Sequence, residues 1–220
     1  MRTQVYLTFL VILSVQAKCH GQGTLQITFD GPPAQPPDSQ YAKTNYYESG
    51  MLFTGIAYTN GPLVYPGTFG RIGAASETNS PISIYPYDGS DYLDASLDDS
   101  LMFSFTNGSL FGLVSVDLAE YSTLFSNEPA MVPFFGYRQD GSTVTNIFTT
   151  DGFIDGTGPG ADFQTFYFKN FTDLTRVEIP TFGWSLDNLV VSIPEPSAGV
   201  LLLLSGVALG ALKWRNRPRA

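Results

Sequence analysis

Between Thr24 and Ile193 no stretch keeps apolar residues at helical spacing for long, whereas short runs of β-branched and aromatic residues recur, each closed off by Gly, Pro, Asn or Asp. A helix needs an apolar stripe sustained over several turns; a strand needs only a few alternating residues. The middle of the chain is therefore restricted to an all-β fold. Predicted strands are Leu25–Phe29, Met51–Tyr58, Ile82–Tyr87, Leu101–Phe105, Phe111–Leu118, Val132–Arg138, Thr143–Thr149, Phe163–Phe168, Leu174–Ile179 and Trp184–Ile193. Alternation sets their faces. In Leu174–Ile179, Val177 and Ile179 face in while Arg176 and Glu178 face out, and Val114, Val116 and Leu118 alternate inward with Ser115 and Asp117. Asp140-Gly141 lies between two such runs and reads as a tight hairpin turn.

About ten strands with long loops, starting and ending in strand, predict a two-sheet β-sandwich of jelly-roll type rather than a closed barrel. Thr24–Asp30 and Trp184–Ile193 are expected to be neighbours, because termini of such sandwiches tend to pair. The four prolines of Gly31-Pro32-Pro33-Ala34-Gln35-Pro36-Pro37 cannot serve a ladder, which makes this segment a stiff surface excursion.

The N-terminal end has a different character. Met1-Arg2 opens a short basic region, Val5 to Val15 is mostly apolar, and Val15-Gln16-Ala17 suits a signal peptidase, so residues 1–17 are expected to be a secretory signal peptide, with Gly21 and Gly23 as rival cleavage positions. Cys19 follows Lys18, where lipid modification needs a small residue, so it is no lipoprotein cysteine. It is also the only cysteine, which excludes an internal disulfide and leaves stability to the core of the 18–193 body. From Lys18 to Pro196 there are six basic residues against all twenty acidic ones, a formal net charge of −14. Such a body repels phosphate backbones, so no nucleic acid is expected as a partner; it suits solubility outside the cell and divalent cations.

At the other end, residues 194–220 hold Pro194-Glu195-Pro196, an almost uncharged apolar run over 197–212, and then Lys213, Arg215, Arg217 and Arg219. As a transmembrane helix the run is short, since fifteen residues from Ala198 to Leu212 span only about 22 Å at about 1.5 Å per residue, against a hydrocarbon core of about 30 Å. Lys213 can snorkel and Trp214 suits the headgroup layer, which makes up the difference. The four basic residues act as a membrane stop and hold the C-terminus on the cytoplasmic side of the inner membrane, with the body across it.

Tripeptide, span and basic tail, in that order, resemble the PEP-CTERM sorting signal, which marks secreted bacterial proteins for exosortase, a membrane processing enzyme. The resemblance covers about a tenth of the chain and implies that this protein is an exosortase substrate. Two prolines around a glutamate hold the backbone extended and remove two donors, which suits a segment read in an enzyme groove. The strings "LFGLVSVDLAEY", "VPFFGYRQDGSTV", "FQTFYFKNFTDLTRVEI" and "SLDNLVV" also look like the β-sandwich ectodomains that such proteins carry, which resemble carbohydrate-binding jelly rolls.

The one histidine, His20, lies beside the leader, so the body has no Ser-His-Asp or Cys-His arrangement and no His-ligated zinc or copper site. Paired carboxylates could hydrolyse a glycoside, but no local pattern singles out an acid in an apolar pocket. Ca²⁺ is the cofactor that the acidic residues suit, being bound by six to eight hard oxygens. Two segments stand out: Asp88, Asp91, Asp94, Asp98 and Asp99, and then Asp151 and Asp155 in a Gly-rich loop. Resemblance to carbohydrate-binding jelly rolls, whose structural calcium sits beside the terminal strands, adds Glu48 and Asp187 as residues that could share an ion. Tyr41, Tyr46, Tyr47, Tyr65, Tyr85, Tyr87 and Tyr92 offer rings for stacking on polysaccharide or for core packing, and Trp184 is expected to cap the core. The leading expectation is an exported, non-enzymatic protein of the cell surface or exopolysaccharide matrix. A carbohydrate-binding module, assisted by calcium, is the alternative, and a carboxylate-dependent glycosidase the third reading.

Overall fold

The computed structural model describes residues 22–31, 45–60, 63–65, 67–72, 84–96, 100–123, 128–154 and 162–194. Over these residues the chain is all β, without a helix. Its strands are β1 (Gln22–Ile27), β2 (Asn45–Glu48), β3 (Met51–Gly55), β4 (Tyr58–Asn60), β5 (Leu63–Tyr65), β6 (Gly70–Ile72), β7 (Tyr92–Ala95), β8 (Leu101–Phe105), β9 (Gly112–Glu120), β10 (Met131–Arg138), β11 (Thr143–Thr149), β12 (Gln164–Tyr167), β13 (Leu174–Ile179) and β14 (Trp184–Pro194).

Two antiparallel sheets carry the fold. Sheet I runs β12-β9-β14-β7-β6 with β1 also paired to β14, sheet II runs β11-β10-β13-β8-β3-β2, and β4 and β5 form a small separate hairpin. The first and last strands therefore share a sheet, as expected from the termini. Each sheet turns one set of alternating side chains toward the other. Leu93, Ala95, Val116, Leu118, Trp184 and Leu186 from sheet I and Phe53, Phe103, Val132, Phe134, Val177 and Ile179 from sheet II are fully buried in one core, a sandwich-like arrangement. Aromatic rings join the layers: Phe148 of β11 and Phe166 of β12 lie 5.0 Å apart, and Phe134 and Phe168 meet edge to face at 5.0 Å. Burying each such side chain contributes roughly 1.5–3 kcal/mol, and ring pairing adds ~0.5–1.5 kcal/mol. Trp184 does close the core, with its indole N–H donating to the Thr181 carbonyl at 2.8 Å.

Where alternation is regular, the sequence expectation and the structure coincide. β8, β11 and β13 have the expected limits, and Asp140-Gly141 sits in the β10–β11 turn, where Gly141 takes φ 84° and Asp140 Oδ1 accepts from Ser142 N at 2.8 Å. Val114 departs from expectation. Val116 and Leu118 are buried but Val114 is 36% exposed, because the β9–β14 register shifts twice. Asp187 pairs with Asp117 and Val190 with Ser115, then Val191 with Leu113, so each strand carries one extra residue and Val114 is pushed out of the alternation.

The run Ile82–Tyr87 is not a strand over its described part. Pro86 lacks a donor, and two neighbouring donors go to side chains instead, Ile84 N to Thr123 Oγ1 at 2.9 Å and Tyr87 N to Asp162 Oδ2 at 3.0 Å. The leader 1–17, Cys19, His20, Pro32–Pro37, Asp98, Asp99, Asp155 and residues 195–220 lie outside the described residues.

Candidate functional site

Trp184 and Leu186 point into the core, so Ser185 and Asp187, which alternate with them, point to the outer face of sheet I, and Asp94 of β7, paired with Ser185, joins them. An outer sheet face carrying two acids would ordinarily meet water. Here Asp94, Ser185 and Asp187 are 3%, 0% and 0% exposed. The segment before β7 folds over them: the Tyr92 hydroxyl donates to the Pro86 carbonyl at 2.9 Å, and its ring stacks edge-on against Phe163 at 5.2 Å. Gly70 on β6 leaves the space for Asp94, since a Cβ there would fall on Asp94 Oδ1.

Asp187 opens the β14 bulge, whose next residue, Asn188, has φ 48°. Asparagine tolerates this left-handed conformation better than most residues. It also serves the site, donating Nδ2 to Asp187 Oδ2 at 3.1 Å and accepting on Oδ1 from Gln26 of β1 at 2.7 Å. The loop supplies a second carboxylate, Asp88, within hydrogen-bonding reach of Asp187. Asp88 Oδ1 accepts from Ser90 N at 2.9 Å. Ser90 Oγ then stands 2.8 Å from Asp88 Oδ1 and 2.8 Å from Asp187 Oδ2. A hydroxyl has one proton, so it can donate to one of these carboxylates and not to both. Two further oxygens, Asp88 Oδ2 and Asp187 Oδ1, are buried without a hydrogen-bond partner, as is the neighbouring Ser185 Oγ.

Burial pushes the Asp187 carboxyl up to about 10, with the adjacent Asp88 carboxyl adding to the rise. Withdrawing charge from water disfavours the ionised form, and a second acid at contact distance disfavours it again. The donors around the pair, Ser90 N, Ser90 Oγ, Asn188 Nδ2 and the Asn188 backbone N–H, are all neutral. The pair thus needs one positive charge more than these partners supply.

Glu48, expected to share an ion with Asp187, has a different set of partners. Its Oε1 accepts from Thr28 N at 3.0 Å, and its Oε2 accepts from Phe29 N at 2.9 Å and the Tyr46 hydroxyl at 2.8 Å. Phe29 has φ 59°, an unusual conformation for a bulky residue, and its ring is buried edge-on against Phe53 at 5.2 Å. Glu48 therefore anchors the chain where it leaves β1, while Asp187 meets Asp88. Of the first acidic segment, Asp91 donates its N–H to Asp30 Oδ1 at 3.0 Å and Asp94 lies over Gly70. Asp151 is exposed and accepts from Phe153 N at 3.0 Å. Nearby, Glu120 is 3% exposed and accepts from Gly152 N at 2.6 Å and from the Thr150 hydroxyl. Among the described residues no group of three or more His, Cys, Asp or Glu side chains converges on a point that could hold a metal; Asp88 and Asp187 are two.

The expected tyrosines divide. Tyr46 belongs to the core, Tyr92 is buried under the cover of sheet I, Tyr85 packs edge-on against Tyr121 at 5.6 Å, Tyr41 lies outside the described residues, and Tyr47 is 63% exposed. Tyr47 lies on β2 at one edge of sheet II; at the opposite edge, on β10 and β11, the outer face carries residues that were not singled out in the sequence. Met131 and Ile147 are exposed there and Phe135 and Tyr137 half-buried. The Arg176 guanidinium lies 3.7 Å over the Tyr137 ring and pairs with Glu178 at 2.9 Å, while the Tyr137 hydroxyl donates to Glu178 Oε2 at 2.8 Å. That hydrogen bond to Glu178 raises the phenol above its ordinary value. The chain matches no protein-family model and no curated protein sequence.

Proposed function

We propose that this chain is an exported, non-enzymatic protein of the cell surface or exopolysaccharide matrix, whose body is a jelly-roll-like sandwich and whose tail is a PEP-CTERM sorting signal read by an exosortase-type enzyme at the inner membrane. One observation carries this reading: the compact all-β unit spans Thr24–Ile193, and β14 ends on an exposed Pro194, the first residue of the sorting tripeptide. The segment that reads as an address therefore begins on the last residue of β14. The acidic unit Thr24–Ile193, which contains no histidine, fits a role outside the cell without acid–base catalysis. Replacing Pro194, Glu195 and Pro196 together by alanine in the native host tests it. We expect the full-length chain to accumulate in the inner membrane; release equal to wild type contradicts the reading.

The outer face of sheet II favours a second reading, a carbohydrate-binding module. A half-buried Tyr137 under Arg176, with Phe135 on the same strand and the exposed Thr143 and Thr145 opposite on β11, combines apolar ring faces with hydrogen-bonding groups, as sugar recognition requires. Binding on a glycan array that is lost in Tyr137→Ala supports it, and silence across a broad set of glycans counts against it.

A further inference from the structure

We propose that Asp88 and Asp187, bridged by Ser90 on the covered outer face of sheet I, form a binding site for one hard divalent cation, with Ca²⁺ the ion it suits best. Three observations lead there. Asp187 is fully buried, yet its Oδ1 has no hydrogen-bond partner. Asp88, brought against it from a loop 99 residues earlier in the sequence, likewise has a buried, unpartnered Oδ2. Ser90 Oγ, within 2.8 Å of both carboxylates, has a single proton to give them.

A buried unpaired oxygen costs roughly 1–3 kcal/mol, more when charged, and two at one place call for a common partner. A hard cation is such a partner, because it takes several oxygens at once and returns the missing positive charge. Cys and His are absent from the pair, which disfavours softer ions. Only two carboxylates face the ion, so water and main-chain oxygens complete its shell. The strand bulge at Asn188 holds Asp187 in place, and the loop over residues 84–91 brings Asp88 down on it, so the ion would fasten this loop to sheet I. The site belongs to the body and is independent of whether the tail is a sorting signal.

The test uses the full chain purified in detergent, with CaCl₂ itself as the probe. Equilibrium dialysis is expected to show one Ca²⁺ per chain, and the melting temperature to rise between EDTA and CaCl₂. Asp88→Asn and Asp187→Asn should each weaken binding by about tenfold or more, since affinity follows ligand charge, and should abolish the rise. Asp151→Asn, on an exposed turn, should leave both unchanged. Absence of binding to the wild type, or binding retained in both Asp88→Asn and Asp187→Asn, overturns the proposal. The wild-type titration and the half-buried Asp88 variant decide the matter even if Asp187→Asn fails to fold.

Discussion

Replacing Asp187 by Asn in metal-free protein should flatten the dependence of stability on pH. The native carboxyl is pushed from its ordinary 3.8 up to about 10 by burial and by Asp88, so the folded state holds a proton that the unfolded state has already released. Stability from this group is fully present below pH 3.8 and is lost as pH rises toward 10. The slope is about 1.4 kcal/mol per pH unit, so the wild type should lose about 4 kcal/mol through this group between pH 4 and pH 7. Asparagine keeps the shape, cannot ionise, and can donate to Asp88. The groups facing position 187 are Asp88, Ser90 and Asn188, with Asp117 across the strand pair. Urea unfolding in EDTA at intervals from pH 4 to pH 8, followed by tryptophan fluorescence, compares the two chains. The variant should overtake the wild type near neutrality, and parallel curves refute the reasoning that burial and Asp88 hold a proton on Asp187.

Three further outcomes follow from the packing. Glu48→Ala removes the acceptor of two backbone N–H groups and a tyrosine hydroxyl, and should cost about 3 kcal/mol or more in urea unfolding at neutral pH; a loss below about 0.5 kcal/mol contradicts the anchoring role. Gly70→Ala places a methyl group on the Asp94 carboxylate, and its expected cost of about 1–3 kcal/mol is read as a lower melting temperature. Phe134→Ala opens the junction with Phe148 and Phe168 and should cost about 3–5 kcal/mol in the same assay.

Legibility followed regularity. β8, β11 and β13 could be placed from sequence because each keeps a period of two, with Phe103, Val177 and Ile179 as buried markers. β7 could not, because Tyr92-Leu93-Asp94-Ala95 is buried on both faces and its aspartate sits in an acidic run typical of loops. The displacement of Val114 depends on paired bulges that leave no trace in the order of residue types. At the candidate site, Asp187 was named only through the likeness to carbohydrate-binding jelly rolls, while its place opposite Trp184 and Leu186 follows from alternation along β14. Its partner was not recognisable: Asp88 was one of five acids in its segment, and only the fold of residues 84–91 across sheet I selects it. Glu48 shows the converse, an acid whose likeness to a calcium ligand gave no hint of the strained Phe29 it holds.

Export followed by processing near Pro196 is tested most directly by the intact mass of the protein recovered from the surface fraction of its native host. The expected mass is that of a chain lacking residues 1–17 and ending close to Pro196. A full-length chain of 24.0 kDa found in the cytosol contradicts it.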